Sequence, residues 1–205
     1  MSQAVSGRGV RFISNSLLLL GSTWTAKKLT VEAYPYAFSA CVVGGAAALV
    51  GILHVLLANE YDVDELRQYQ ELRKGMLELM PLPLVNMQLY MLSQGMGTLV
   101  MAHASFVLPL AMDICCSLAW RRKNCYISET LRDLCMLGNI LSLGFLAFKE
   151  RNSIYLRLML TMASIKYGPM LFDGVEDEAG ENLLVLGSAM FLYSLGKAQP
   201  WAGIK

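Results

Sequence analysis

From Leu79 to Met112 the chain carries no Asp, Glu, Lys or Arg. The apolar run continues past Asp113 to Trp120, and the triplet Arg121–Arg122–Lys123 ends it. One bilayer crossing takes about 20 mainly apolar residues, so this run is ample. A second uncharged run, Ala33 to Asn59, lies between Glu32 and Glu60. Two such runs in 205 residues predict a membrane protein that crosses more than once. Charged residues fall to 16%, against about 25% in soluble domains. Lipid leaves backbone polar groups to be satisfied within the chain, and no alternating strand pattern suggests a barrel. The expected fold class is therefore all-α: a multi-pass transmembrane helical bundle of four to six helices, five fitting best, with an N-terminal amphipathic helix.

Two parts are expected: a basic amphipathic segment over 1–31, then one helical membrane domain over 32–205. The first part holds Arg8, Arg11, Lys27 and Lys28 and no acid. Its Val10, Ile13, Leu17, Leu20 and Trp24 recur at three- and four-residue steps, one face of a helix. An acid-free basic start with Ser resembles a mitochondrial targeting segment. An interfacial helix, a weak signal anchor or simply the first core helix are the other readings.

Tyr34 to Ala58 is the cleanest span. Tyr34 and Tyr36 suit the headgroup layer, and Pro35 suits a helix's first turn. Ala40, Gly44 and Ala48 repeat every four residues, with Gly51 next on that side; small residues so spaced let another helix come close. This is a helix-packing face rather than a phosphate loop, which would need Lys-Ser/Thr. His54, one turn from the end, is read as a snorkelling interfacial residue or as an intramembrane polar site.

A solvated amphipathic helix is expected at 60–79. Val63, Leu66, Tyr69, Leu72, Met76 and Leu79 form its apolar stripe and a candidate partner face. Pro81 and Pro83 end it. In the long run that follows, Asn86, Gln88, Ser93, Gln94 and Thr98 must face protein rather than lipid. A straight helix from Leu84 to Trp120 would reach about 55 Å, past the roughly 30 Å hydrocarbon core. It must kink near Pro109 or fold back near Ala102–Ser105, and one kinked crossing is expected because His103-Ala104-Ser105 is a poor turn. Asp113 is either an intramembrane carboxylate needing a partner or an interfacial one near the basic triplet.

Three shorter apolar pieces follow: Leu134–Phe148, Ile154–Phe172 with Arg157 and Lys166 inside, and Asn182–Gly196. Asp173–Glu181 holds five acids and reads as a solvated loop. Basic residues divide eight to seven between the two sides of a five-span topology, which leaves orientation open.

Catalytic motifs are absent: no H-E-x-x-H, Walker loop, G-x-S-x-G or C-x-x-C occurs. No enzyme activity, cofactor or metal is expected, since two histidines cannot build a multi-histidine site. The five cysteines are odd in number, and no Asn-x-Ser/Thr sequon occurs. The net charge of +1 offers no basic face to nucleic acid. Expected partners are the lipid bilayer and other membrane-protein subunits. The expected function is a non-enzymatic scaffold, assembly or adaptor subunit in an organelle membrane, either the mitochondrial inner membrane or the endoplasmic reticulum. The alternative is a small transporter, channel or lipid-handling protein using His103, Asp113, Arg157 and Lys166.

Overall fold

The computed structural model describes residues 2–57, 70, 73–105, 107, 129–171 and 177–198. They are mostly helical, with no strand among them. The helices are α1 (Ser2–Ala26), α2 (Pro35–Leu57), α3 (Pro81–Leu92), α4 (Glu129–Lys149), α5 (Ser153–Leu171) and α6 (Asp177–Leu195). Shorter helical stretches occupy 73–79 and 97–105. Each helix packs on the next in the chain, and α6 closes the set by packing along α1. Thus α1 lies against α2 and α6 as an integral member of the bundle.

Directions alternate except between α3 and α4. α1 and α6 both finish where α2 begins, because Thr25 donates to the Leu192 carbonyl at 2.8 Å and Trp24 stacks near Tyr193. α3 finishes at that same end. There Gln88 Oε1 accepts from the Tyr36 amide at 3.2 Å, capping the first turn of α2. Parallel to α3 runs α4, bonded to it through pairs 52 to 57 residues apart in sequence.

Met80 keeps helical angles between 73–79 and α3. Pro81 and Pro83 only remove two donors there, so residues 73–92 run on as one piece about 30 Å long at 1.5 Å per residue. The long run then breaks earlier than the expected kink at Pro109 or fold-back at Ala102–Ser105. Ser93 turns extended, Gly95 takes φ +74°, and the chain re-enters helix at Gly97. Only glycine adopts that left-handed conformation at little cost, so Gly95 supplies the reversal. A single kinked crossing over Leu84–Trp120 is therefore corrected to two segments that double back at Ser93–Met96; Pro109 lies outside the described residues. The acidic loop is also shorter than expected, since α6 begins at Asp177, where acids complement the helix N-terminus.

The sequence stripe of α1 faces outward. Val10, Ile13, Leu17 and Leu20 are exposed, while Ser14, Asn15, Leu18, Ser22 and Thr25 are buried. On α4, Leu134, Leu137, Leu141, Phe145 and Phe148 also point away from the bundle, while Met136, Asn139, Ile140, Leu143 and Leu146 are buried, so this helix is apolar on both sides. Among the described helices, α2 is the one both long and apolar enough to span a bilayer by composition alone.

Candidate functional site

Ten consecutive residues of α3, Pro81 to Tyr90, are buried, which places it in the middle of the structure. Two polar side chains in that helix cannot reach water and must find partners in the protein. Gln88 finds the start of α2, through the Tyr36 amide and the Ala33 carbonyl. Asn86 finds α4: its amide nitrogen donates to the Asn139 carbonyl at 2.9 Å and to Asn139 Oδ1 at 3.1 Å.

One turn along, the same seam continues. Tyr90 donates its hydroxyl proton to the Ser142 carbonyl at 2.9 Å, and Ser142 Oγ lies 2.7 Å from the Tyr90 hydroxyl. Into this seam the returning stretch 97–105 inserts His103, which is buried. Its Nδ1 stands 2.9 Å from Asn139 Oδ1, its Nε2 3.0 Å from Ser142 Oγ, and its ring stacks on Tyr90 at 5.0 Å. Asn139 anchors the whole by donating to the Cys135 carbonyl one turn back. The result is a continuous hydrogen-bonded chain, Tyr90–Ser142–His103–Asn139–Asn86.

Both ends of the seam are polar. At one, Ser93 donates to Glu150 at 2.6 Å, and Lys149 to the Gln94 carbonyl. At the other, Lys166 of α5 pairs with Glu78 and, at 2.8 Å, with Asp133. The order Ser142–His103–Asn139 is that of a nucleophile, its base and an orienting group. The backbone N–H groups around Ser142 are engaged in α4 and offer no oxyanion site there. Proton exchange is the chemistry this arrangement favours. Among the described residues no group of three metal-ligating side chains occurs.

The remaining sequence candidates lie elsewhere. Arg157 is exposed on α5 and far along it from Lys166, so the set His103, Arg157 and Lys166 does not meet. Asp113 lies outside the described residues, as do Val63, Leu66, Tyr69 and Leu72. Of that stripe, Met76 is half-buried and Leu79 buried within the chain, so Leu79 is covered by the bundle rather than open to a partner. Buried beside it on 73–79 are Leu77 and Arg73. Lys74 on the same stretch is exposed, whereas the buried Arg73 pairs with Glu181 and donates to Asn15 at 3.1 Å. Ala40, Gly44, Ala48 and Gly51 are all buried. A Cβ on Gly44 would stand 2.5 Å from Leu192 and 2.9 Å from Ser22, so this face packs on α6 and α1. His54 lies in the last turn of α2, its Nε2 buried and without a hydrogen-bond partner among the described residues. Cys41 and Cys135 are free thiols.

Tyr90, Asn139 and Ser142 are members of the cluster that no motif marks. The signal they leave is spacing: Asn86 and Tyr90 are four apart on one helix, Asn139 and Ser142 three apart on another, so each pair shares a face.

The chain belongs to the family described as domain of unknown function DUF4791, whose profile matches residues 32–199. No curated protein and no solved structure matches the chain.

Proposed function

We propose that this member of the DUF4791 family is a multi-pass integral membrane protein that moves protons or a small polar solute along the seam between α3, α4 and 97–105. The observation that carries the reading is the hydrogen-bonded chain through His103 inside a bundle whose outer faces are apolar. An ionisable side chain at membrane depth is a functional candidate once its partners are named, and here they are Asn139, Ser142 and Tyr90.

The membrane environment has separate support. α1 turns an apolar stripe outward, and α4 is apolar on both its buried and its exposed side, whereas soluble helices keep a polar outer face. Exposed hydroxyls are satisfied without water: Ser16, Thr23, Ser39 and Thr161 each donate to a carbonyl one turn back in their own helix. Trp24 and Tyr193 gather Lys28 and Lys197 over their rings at one end of the bundle, as in an interfacial aromatic belt. α1, α2, α4, α5 and α6 have 19 to 25 residues, or about 29–38 Å at 1.5 Å per residue, close to the hydrocarbon thickness.

The scaffold reading has less to stand on. The small-residue face of α2 and the end of the 60–79 stripe are both covered within the chain. The residue pattern still favours an intracellular organelle membrane, mitochondrial inner membrane or endoplasmic reticulum, through the basic acid-free start and the missing sequons. Imaging a C-terminally tagged protein against organelle markers tests the location; a predominantly cell-surface signal would refute it.

The test of function is proton flux into liposomes holding a pH-sensitive dye, with valinomycin and potassium clamping the potential. The protein should dissipate an imposed gradient faster than empty vesicles. Flux equal to empty vesicles, with stable subunits co-purifying in mild detergent, would replace this reading with the scaffold.

A further inference from the structure

We propose that His103 is a reversible proton-binding site, in which Ser142 and Tyr90 reorient their hydroxyl protons to receive the charge while every heavy atom stays in place. Asn139 fixes the sense of the chain. Its nitrogen donates to the Cys135 carbonyl and its Oδ1 accepts from Asn86, so a flipped amide would set donor against donor. Oδ1 is thus an acceptor, and His103 Nδ1 at 2.9 Å must carry a proton to bond with it. That leaves Nε2, 3.0 Å from Ser142 Oγ, as the atom that gains or loses a proton.

Both states fit. With the ring neutral, Ser142 donates to the Nε2 lone pair, and Ser142 Oγ takes the Tyr90 hydroxyl proton across 2.7 Å. The Ser142 carbonyl then goes without the Tyr90 proton. With the ring charged, Nε2–H donates to Ser142 Oγ. The Ser142 proton turns to the Tyr90 oxygen, and the Tyr90 proton turns to the Ser142 carbonyl at 2.9 Å. One proton enters at Nε2, two hydroxyl protons rotate, and none leaves. The charged state fills one more hydrogen bond than the neutral one.

The surroundings are those of a cation held by neutral oxygens. The groups that meet the ring are Tyr90 from α3 and Asn139 and Ser142 from α4, with Asn86 and the Cys135 carbonyl bonded behind Asn139. No Asp, Glu, Lys or Arg side chain is among them. Tyr90 also offers its ring face to the imidazolium. Asn86 is buried, and its Oδ1 has no partner among the described residues, an uncommitted acceptor beside the site. The charged groups of the seam stand at its two ends: Lys166 paired with Glu78 and Asp133 at one, and Lys149 on the Gln94 carbonyl and Glu150 on Ser93 at the other.

The proposal takes its purpose from the transport reading, but its test does not depend on flux. The chain has two histidines, so ring-15N labelling of the full protein in detergent gives two sets of signals, and His54→Gln assigns them. His103 should be the Nδ1–H tautomer when neutral and should titrate reversibly between about pH 4 and 9 with the fold intact. Ser142→Ala removes the acceptor of the charged ring and should lower the midpoint by about one unit, a tenfold loss of proton affinity. If His54→Gln does not fold, the signal that Ser142→Ala moves identifies His103 in the unaltered background. A neutral Nε2–H tautomer, no titration, or a midpoint that Ser142→Ala leaves in place would overturn the proposal. Titration without vesicle flux would overturn the transport reading alone, and flux without titration would overturn the proton site alone.

Discussion

Arg73 donates to Asn15 across 3.1 Å beside Gly51, where an added Cβ would collide with both. With Glu181 paired to the same guanidinium, one buried arginine joins α1, the stretch 73–79 and α6 at one end of the bundle. Removing one member of a buried pair strands the other charge, so Arg73→Ala should cost about 3–5 kcal/mol. The double variant Arg73→Met/Glu181→Leu should recover most of that loss, since two apolar side chains leave no unpaired charge. Thermal unfolding in detergent checks both; equal losses in single and double variants would contradict the pairing.

Gly44 has a neighbour on each side that leaves no room for a side chain. Gly44→Leu should overpack the α1–α2–α6 contact and destabilise by about 1–3 kcal/mol or more. Val42→Leu, on the exposed side of α2, should leave the melting temperature within a degree or two, near the small effect of about 0.5 kcal/mol usual for surface changes. Similar mild effects from both would remove the packing role of the small-residue face.

Much of this architecture is written in where charges stop and start. Charges bracket α2, α4 and α6, and the apolar pieces between them became helices because lipid or core must cover them. Periodicity separates the two sides of α1 but does not say which side meets the bundle, and the stripe of Val10, Ile13, Leu17 and Leu20 turned outward. For the same reason the stripe through Met76 and Leu79 does not reveal that Arg73 is buried beside it with Leu77. The reversal in the long run rests on the positive φ of Gly95 rather than on Pro109 or His103-Ala104-Ser105. Asn86 stood out as a polar residue in an apolar run. Its partner Asn139 lies 53 residues away, and no local spacing announces a contact at that range.

Asn139 bonds to three others, and that inequality is testable. Asn139→Ala leaves His103 Nδ1 without its acceptor and takes one of two acceptors from the Asn86 amide, which keeps the Asn139 carbonyl, and it also removes the bond to Cys135, so it should cost more than Asn86→Ala. Each buried group left unsatisfied costs about 1–3 kcal/mol. Gln94→Ala, exposed in the turn after α3, should be silent. The ranking Asn139 over Asn86 over Gln94 can be read from chemical denaturation in a single detergent; a flat series would mean the cluster is not coupled.

The outward stripe of α4 separates lipid from water as the medium around the bundle. Leu141 is 63% exposed, midway along the helix, with Leu137 and Phe145 on the same side. In water, a lysine there should change stability by no more than about 0.5 kcal/mol. In hydrocarbon, the same lysine should cost about 2.5–3.5 kcal/mol of insertion free energy at the helix centre. Leu141→Lys should therefore cut the membrane-integrated, folded yield sharply, while Lys149→Leu at the end of the same helix should not. Leu143→Lys, at a fully buried position, should fail in either medium and serves as the reference for complete loss. If Leu141→Lys instead folds at full yield and the protein appears in the carbonate-soluble fraction, the apolar exterior faces water and the bundle does not reside in a membrane.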